Sequence, residues 1–363
     1  MTGAPLPADI ATLDDYERHA AAHFDPATWA HIQQGSTPAN RAALARWGLV
    51  PRALRPLDGG STATMLFGQA HAAPILLAPV AYQRLAHTQG EIATAQAAAA
   101  LDTALVASTL SSITLEAIIE ALHDAAGQLQ HPAPPPAWFQ LYVQPDPADT
   151  LALVRRAEAA GYGALVVTVD AAIKRAEFAL PPGVAAANLA GQAPPRHHTQ
   201  AHAGHLVFGS ALAAQAPTWD TLAWLRRETA LPLVVKGLLH PDDALRARDA
   251  GADGVIVSNH AGRVLDGVAP ALMLLPAMRA ALGADYPLLL DGGIRSGADA
   301  LKAMALGAQA VLVGAPQFHA LAVGGMAGVA HMLHILRTGF ELAMAQCGCT
   351  RVDQITRDLV IAL

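Results

Sequence analysis

From residue 74 onward, eight short apolar runs recur, each separated from the next by a segment long enough to form a helix. They are Pro74–Val80, Thr103–Ser108, Trp138–Val143, Gly163–Val169, Pro232–Lys236, Gly254–Ser258, Pro287–Asp291 and Ala310–Gly314. Runs of this kind show no alternation of polar and apolar residues, which is how strands of a parallel sheet buried on both faces read. Eight such units in ~240 residues is the count and length of a (β/α)8 barrel, an α/β fold. A doubly wound open sheet is the structural rival, but no run is followed by G-x-G-x-x-G. Gly161 and Gly251 each close a helix-like stretch just before a strand, the position where a left-handed residue ends a helix.

The rest of the chain is arranged around that repeat as one domain over 1–363. Residues 1–73 are expected to form a helical segment, with Thr12 and Asp25 as helix-starting residues. The barrel is expected over 74–345, and a tail over 346–363. The rhythm breaks once, between the fourth and fifth runs, where 171–217 is rich in Pro, Ala, Gly and His and is expected to be a lid or insertion loop on the C-terminal face. His197, His198, His202 and His205 in that loop have the spacing of metal ligands but no acidic or cysteine partner, so no metal is expected.

Composition excludes several classes of partner. Hydrophobic residues make up 53% of the chain and charged residues 14%, enough apolar material for a large core. A formal charge of −6 with no basic cluster argues against nucleic acid and anionic membranes, and no run of ~20 apolar residues is expected to span a bilayer. Cys347 and Cys349 are expected to be free thiols, and no secretory signal is visible, which points to the cytoplasm.

In such a barrel the C-terminal strand ends meet at one mouth, so residues distant in sequence share a site. Here the ends supply Pro79, Val80, Ala81, Ser108, Gln140, Tyr142, Thr168, Asp170, Lys236, Ser258, His260, Arg263, Asp291, Gly293, Arg295 and Gly314. His260 can accept a proton near neutrality, and Arg263 three residues later offers a fork of donors for a carboxylate. Together they suggest an acid deprotonated beside its carboxyl group, although a polar loop after a buried strand would read the same way locally. Asp170 can orient His260, and Lys236 can neutralise negative charge on a bound ring system. Asp291-Gly-Gly-Ile-Arg295 runs directly into a helix, a ready site for phosphate.

The segments LAPVAYQRLAH (77–87), WFQLY (138–142), TVD (168–170), VVKG around Lys236, SNHAGRVLD (258–266) and DGGIRSGADALKAMALGA (291–308) occur in the order found in one family. The chain therefore resembles the FMN-dependent α-hydroxy-acid oxidases and dehydrogenases, which include glycolate oxidase, lactate oxidase and mandelate dehydrogenase. The resemblance implies that His260 is the base, paired with Asp170, and that Arg263 and Tyr142 hold the substrate carboxylate. It implies that Pro79, Val80, Ala81, Ser108, Gln140 and Thr168 line the flavin ring and that Lys236 sits by its N1 and C2 carbonyl. Ser258 would lie near the ribityl chain, and Asp291, Gly293, Arg295, Gly314 and Ala315 would hold the ribityl and phosphate ends.

Four departures from the family's pattern stand beside these motifs. Ala261-Gly262 stands where the family usually has Gly-Gly, and Gly314-Ala315-Pro316 lacks the family's arginine. His31 falls where an N-terminal substrate-facing Tyr is usual, and Arg175 in Lys174-Arg-Ala-Glu177 is the candidate second substrate arginine. The implied reaction is FMN-dependent oxidation of an (S)-2-hydroxy acid to the 2-oxo acid, with O2 as acceptor and hydrogen peroxide as product. A homo-oligomer, commonly a tetramer, goes with the family. The alternatives are a soluble dehydrogenase passing electrons to a quinone or cytochrome, a tailoring oxidase for a larger aryl hydroxy acid, and a non-catalytic flavin- or phosphate-binding barrel.

Overall fold

The computed structural model describes residues 5–34, 38–172, 178–192 and 207–363. Within them eight parallel strands close into a barrel: β1 Ile75–Leu77, β2 Leu105–Ser108, β3 Ala137–Leu141, β4 Leu165–Thr168, β5 Leu233–Leu238, β6 Gly254–Ser258, β7 Leu288–Asp291 and β8 Ala310–Val313. Each strand pairs with its sequence neighbours, and β8 closes the ring on β1 through Val311↔Ile75, Leu312↔Leu76 and Val313↔Leu77. All eight expected strands form, within the ends of the apolar runs or a residue or two beyond them.

Alternation along each strand decides what the barrel holds. Leu76, Val106, Trp138, Val166, Val234, Ile256, Leu289 and Leu312 form one buried cluster filling the interior. The residues between them, such as Leu77, Leu105, Phe139, Leu165, Val235, Val257 and Leu290, belong to the cluster shared with the surrounding helices. Each interior side chain contributes roughly 1.5–3 kcal/mol by leaving water. Two residues further along each strand the same inward parity brings Ala78, Ser108, Gln140, Thr168, Lys236, Ser258, Asp291 and Gly314 to the C-terminal mouth. The apolar filling therefore stops one layer below a ring of mostly polar groups.

Three helices, Leu13–Ala20, Pro26–Gln33 and Pro38–Ala45, precede the barrel. The first two start as the sequence suggests. Thr12 and Asp15 form a reciprocal capping box, and the Asp25 carboxylate accepts from the N–H groups of Ala27 and Thr28, both at 3.0 Å. The rest of 1–73 corrects the expectation of a purely helical segment. Thr64–Leu66 and Gln69–His71 form a hairpin whose two loop residues, Phe67 and Gly68, both have positive φ (51° and 74°), as a tight primed turn requires. The hairpin plugs the N-terminal mouth. Leu66 joins the interior cluster, Phe67 meets Trp138 edge-on at 5.4 Å, and Gln69 donates to the Gly163 carbonyl and accepts from the Trp138 indole.

The chain's last residues are also more ordered than a tail. Val360–Ala362 pairs antiparallel with Trp47–Leu49. The helix Ala315–Gln346 is long and apolar enough to cross a bilayer by length and composition, contrary to the sequence expectation that no such stretch exists. In the fold it is bent at Gly324 and Gly325 and packs on the barrel. A Cβ on Gly297, which opens the helix Gly297–Ala305, would come within 1.8 Å of the Phe340 backbone nitrogen, so glycine there sets how closely that helix approaches the long one. Cys347 and Cys349 are free and buried.

Candidate active site

A cavity of about 740 Å³ opens at the C-terminal ends of the strands, beneath His31, Ile32 and Arg41 from the N-terminal helices and Phe178, Leu180, Val184 and Leu189 from the insertion. Part of that insertion is pinned rather than loose. The Asn188 side chain accepts from the Leu115 N–H at 2.8 Å and donates to the Ser108 and Thr109 carbonyls at 3.2 and 3.3 Å. Arg175 and the four insertion histidines lie outside the described residues. Among the described residues no cluster of His, Cys, Asp and Glu has the makings of a metal site.

At one end of the cavity stands His260. β6 finishes at Ser258, and the chain then turns through three consecutive left-handed residues, His260 (φ 51°), Ala261 (φ 55°) and Gly262 (φ 77°). For two residues bearing Cβ atoms this conformation is strained, and it is held from both sides. Asn259 and Asn40 exchange amide hydrogen bonds at 2.9 and 3.0 Å, and the His260 N–H donates to Ser258 Oγ at 3.1 Å. His260 Nδ1 then lies 2.8 Å from Asp170 Oδ1. That approach depends on a bulge in β5: Gly237 has φ 106°, and a Cβ there would come within 2.4 Å of Asp170 Cγ. Burial opposes the charge on Asp170, but the hydrogen bond with His260 and the fields of Lys236 and His260 outweigh it and hold its carboxyl below the usual range.

Arg263 and Tyr142 line the same space as His260. Arg263 Nη2 reaches the Ile32 carbonyl at 3.4 Å, so the N-terminal helix leans on the guanidinium while leaving it open to the cavity. Burial raises the Tyr142 hydroxyl pKa, with Asp170 adding to the effect and Arg263 opposing it, so the phenol keeps its proton. His31 lines the cavity and stacks on Phe178 with ring centroids 4.3 Å apart and planes 12° from parallel.

Lys236 occupies the middle of the polar ring. Its Nζ lies 2.8 Å from Asp291 Oδ2 and 3.0 Å from Ser258 Oγ. Burial disfavours the ammonium, yet Asp291 and then Asp170 outweigh it and raise the pKa, so Lys236 remains a fixed positive charge. Ser258 is the residue expected near a ribityl chain. It is fully buried behind the cavity wall, accepting from Lys236 and donating to Asp291 at 2.8 Å, and so acts on any ligand through those two neighbours. Asp170 likewise stands behind His260 rather than in the wall.

The remaining predicted residues do line the cavity. Pro79, Val80 and Ala81 follow β1, with Ser108, Gln140 and Thr168 beside them. Gln140 Oε1 is taken by the Ser108 hydroxyl at 3.0 Å, but its Nε2 and the Thr168 hydroxyl are buried without a partner. A donor and a hydroxyl left open in this way fit the polar edge of a flat heteroaromatic ring. Gly292, Gly293, Arg295, Gly314 and Ala315 line the cavity as well, the last two opening the long helix. Gly292 and Gly293 have φ of 122° and 87°, and a Cβ on either would come within 2.8–2.9 Å of Asn40. Open backbone, a helix start and a largely covered arginine suit a phosphate. The donor set therefore fits FMN from ring to phosphate.

Sequence reasoning expected a lid from the insertion without naming the Phe178–Leu189 wall, placed Asn259 at the mouth without a role, and missed Asn40, Arg41 and Gly237. The wall had a local signal, its place in an insertion after β4. The others act through partners far away in sequence.

A family model described as FMN-dependent dehydrogenase matches residues 20–362. The chain is 49% identical to an L-lactate oxidase of Alicycliphilus denitrificans, covering 97% of both chains. It is 43% identical to a 4-hydroxymandelate oxidase of Amycolatopsis orientalis, over 89% of both chains. A solved structure of mandelate oxidase with benzoyl-formic acid superposes with a TM-score of 0.84 at 39% identity, covering 98% of each chain. With a polar ring shaped for flavin and a match running through nearly its whole length, the chain belongs to the FMN-dependent α-hydroxy-acid oxidase and dehydrogenase family.

Proposed function

We propose that this enzyme oxidises (S)-2-hydroxy acids with apolar side chains to 2-oxo acids, with O2 as electron acceptor and hydrogen peroxide as the second product. The observation that carries the reading is the His260–Asp170 pair at 2.8 Å, facing the same cavity as Arg263 and Tyr142. Arg263 pairs with the substrate carboxylate and the Tyr142 hydroxyl donates to it, which fixes C2 near His260. With its Nδ1 hydrogen donated to Asp170, His260 offers the Nε2 lone pair and takes up a proton there, and Asp170 stabilises the imidazolium that results. When bound, FMN supplies the acceptor for the two electrons and their relay to O2. The hydroxy acid loses two electrons and two protons in all, and O2 gains both pairs.

Arg295, with the Gly292–Gly293 backbone, would hold the phosphate. Lys236 would face the electron-rich edge of the ring, and Gln140 and Thr168 its polar edge. Phe178, Leu180, Val184 and Leu189 make the substrate wall apolar, which supports substrates from lactate up to aryl hydroxy acids. The similarity to both an L-lactate oxidase and a 4-hydroxymandelate oxidase supports that range. Arg175 as a second substrate arginine, a cytoplasmic location and a homotetramer are part of the same proposal. Two free buried cysteines suit a reducing compartment, and the tetramer rests on family resemblance.

The test is anaerobic mixing of the FMN-loaded protein with lactate and with mandelate, following loss of flavin absorbance, for the native chain and His260→Gln. Bleaching by at least one acid and recovery in air are expected for the native chain. The variant should keep its FMN and bleach about 10²- to 10⁴-fold more slowly. Bleaching of the variant at the native rate would remove His260 from the reaction.

A further inference from the structure

The cavity is lined by two groups of basic side chains. Lys236, His260 and Arg263 serve the reacting groups, whereas Arg295 follows Gly292 and Gly293 after β7, and Arg41 lines the same cavity. Arg41 is rooted firmly. It follows Asn40, which is locked to Asn259 and pressed against the two glycines. Arg41 and Arg295 also share both of their acidic neighbours. Asp14 is paired to Arg41 Nη2 and lies 3.7 Å from Arg295 Nε, and Glu17 Oε2 lies 3.7 Å from Arg41 Nη1 and 3.9 Å from Arg295 Nη2.

Three of those four separations are longer than a hydrogen bond, so the carboxylates balance charge without using up the donors. Arg295 Nε and Glu17 Oε2 are in fact buried with no hydrogen-bond partner. Two guanidinium groups held together with unused donors, next to glycines that no side chain could replace, form a receptor for an anion that accepts several hydrogen bonds. The β8 exit adds no further cation, since Ala315 presents only a methyl group.

We propose that Arg41 is a second phosphate-binding arginine, gripping the FMN phosphate jointly with Arg295, and that Asp14 and Glu17 are positioning residues for the pair. The inference rests on FMN being the cofactor and adds a residue from outside the barrel to its site.

The experiment titrates apoprotein with FMN and separately with riboflavin, which lacks the phosphate, reading flavin fluorescence. Arg41→Ala is expected to weaken FMN binding about ten- to a hundredfold while changing riboflavin binding less than about twofold, the size of a lost charged hydrogen bond. Equal weakening of both flavins, or no change in either, would overturn the proposal, because a purely structural role does not distinguish phosphate. If the alanine variant does not fold, Arg41→Met keeps the apolar stem and carries the same two readings. A native apoprotein that binds neither flavin would instead sink the cofactor assignment itself.

Discussion

Asp170 shows how much one side chain can depend on residues that never touch the substrate. Its carboxylate meets His260 only because Gly237 lacks a Cβ, and it stays ionised against burial through His260 and Lys236. The sign of its contribution to stability follows from that. An unfolded aspartate titrates at about 3.9 and the folded one lower, so the unfolded chain binds the extra proton. The stabilisation is therefore complete above about pH 4 to 5 and is lost as pH falls through the folded value. Asp170→Asn should make the apoprotein less stable than the native chain at pH 7, by an amount that shrinks toward pH 3, in urea midpoints measured across that range. A gap that stays constant with pH would mean the carboxylate's charge contributes nothing. His260, Asp170 and Arg263 were legible in sequence because their chemistry is written in residue type at strand ends. Gly237 was not, since a single glycine inside a strand pattern does not say which side chain needs the space.

At the scale of elements, the barrel strands were the most legible part of the fold, because burial on both faces leaves an unbroken apolar run. The hairpin before β1 was missed for the opposite reason. Its strands are three residues each, and its turn is Phe67-Gly68 rather than the Asn-Gly or Asp-Gly pair that signals a primed turn. Only after folding does Leu66 prove to be core, 3% exposed within the barrel interior. Leu66→Ala should cost about 2–5 kcal/mol of unfolding free energy, as buried leucine truncations do. Because the hairpin closes the mouth opposite the cavity, KM for the hydroxy acid should stay within about twofold. Denaturant unfolding and steady-state kinetics on the same sample check both halves, and a raised KM with unchanged stability would contradict the plug.

On the scale of the whole molecule, the site is completed by chain that lies far from the barrel in sequence. Asn40 and Asn259 are 219 positions apart, a separation that leaves no trace in any local pattern, so this half of the site was not legible. The helix Pro38–Ala45 that carries Asn40 and Arg41 runs into Trp47–Leu49, which is secured by the end of the chain. Trp47 pairs with Ala362, the Val50 N–H donates to the Leu359 carbonyl at 2.8 Å, and the Leu363 N–H donates to the Arg46 carbonyl at 2.8 Å. The Arg357 guanidinium covers the Trp47 ring at 4.7 Å. A strand of three residues has little stability by itself, so its partner decides where the preceding helix rests. Removing residues 360–363 should therefore loosen Asn40 from Gly292 and Gly293 while leaving the eight barrel strands intact. The expected result is faster FMN release, about tenfold, seen as recovery of flavin fluorescence on dilution, with far-ultraviolet circular dichroism unchanged. Release at the native rate would show that Asn40 and Arg41 are held by the barrel alone. A collapse of the dichroism would show that the terminal strand supports the whole fold rather than the phosphate end of the cavity.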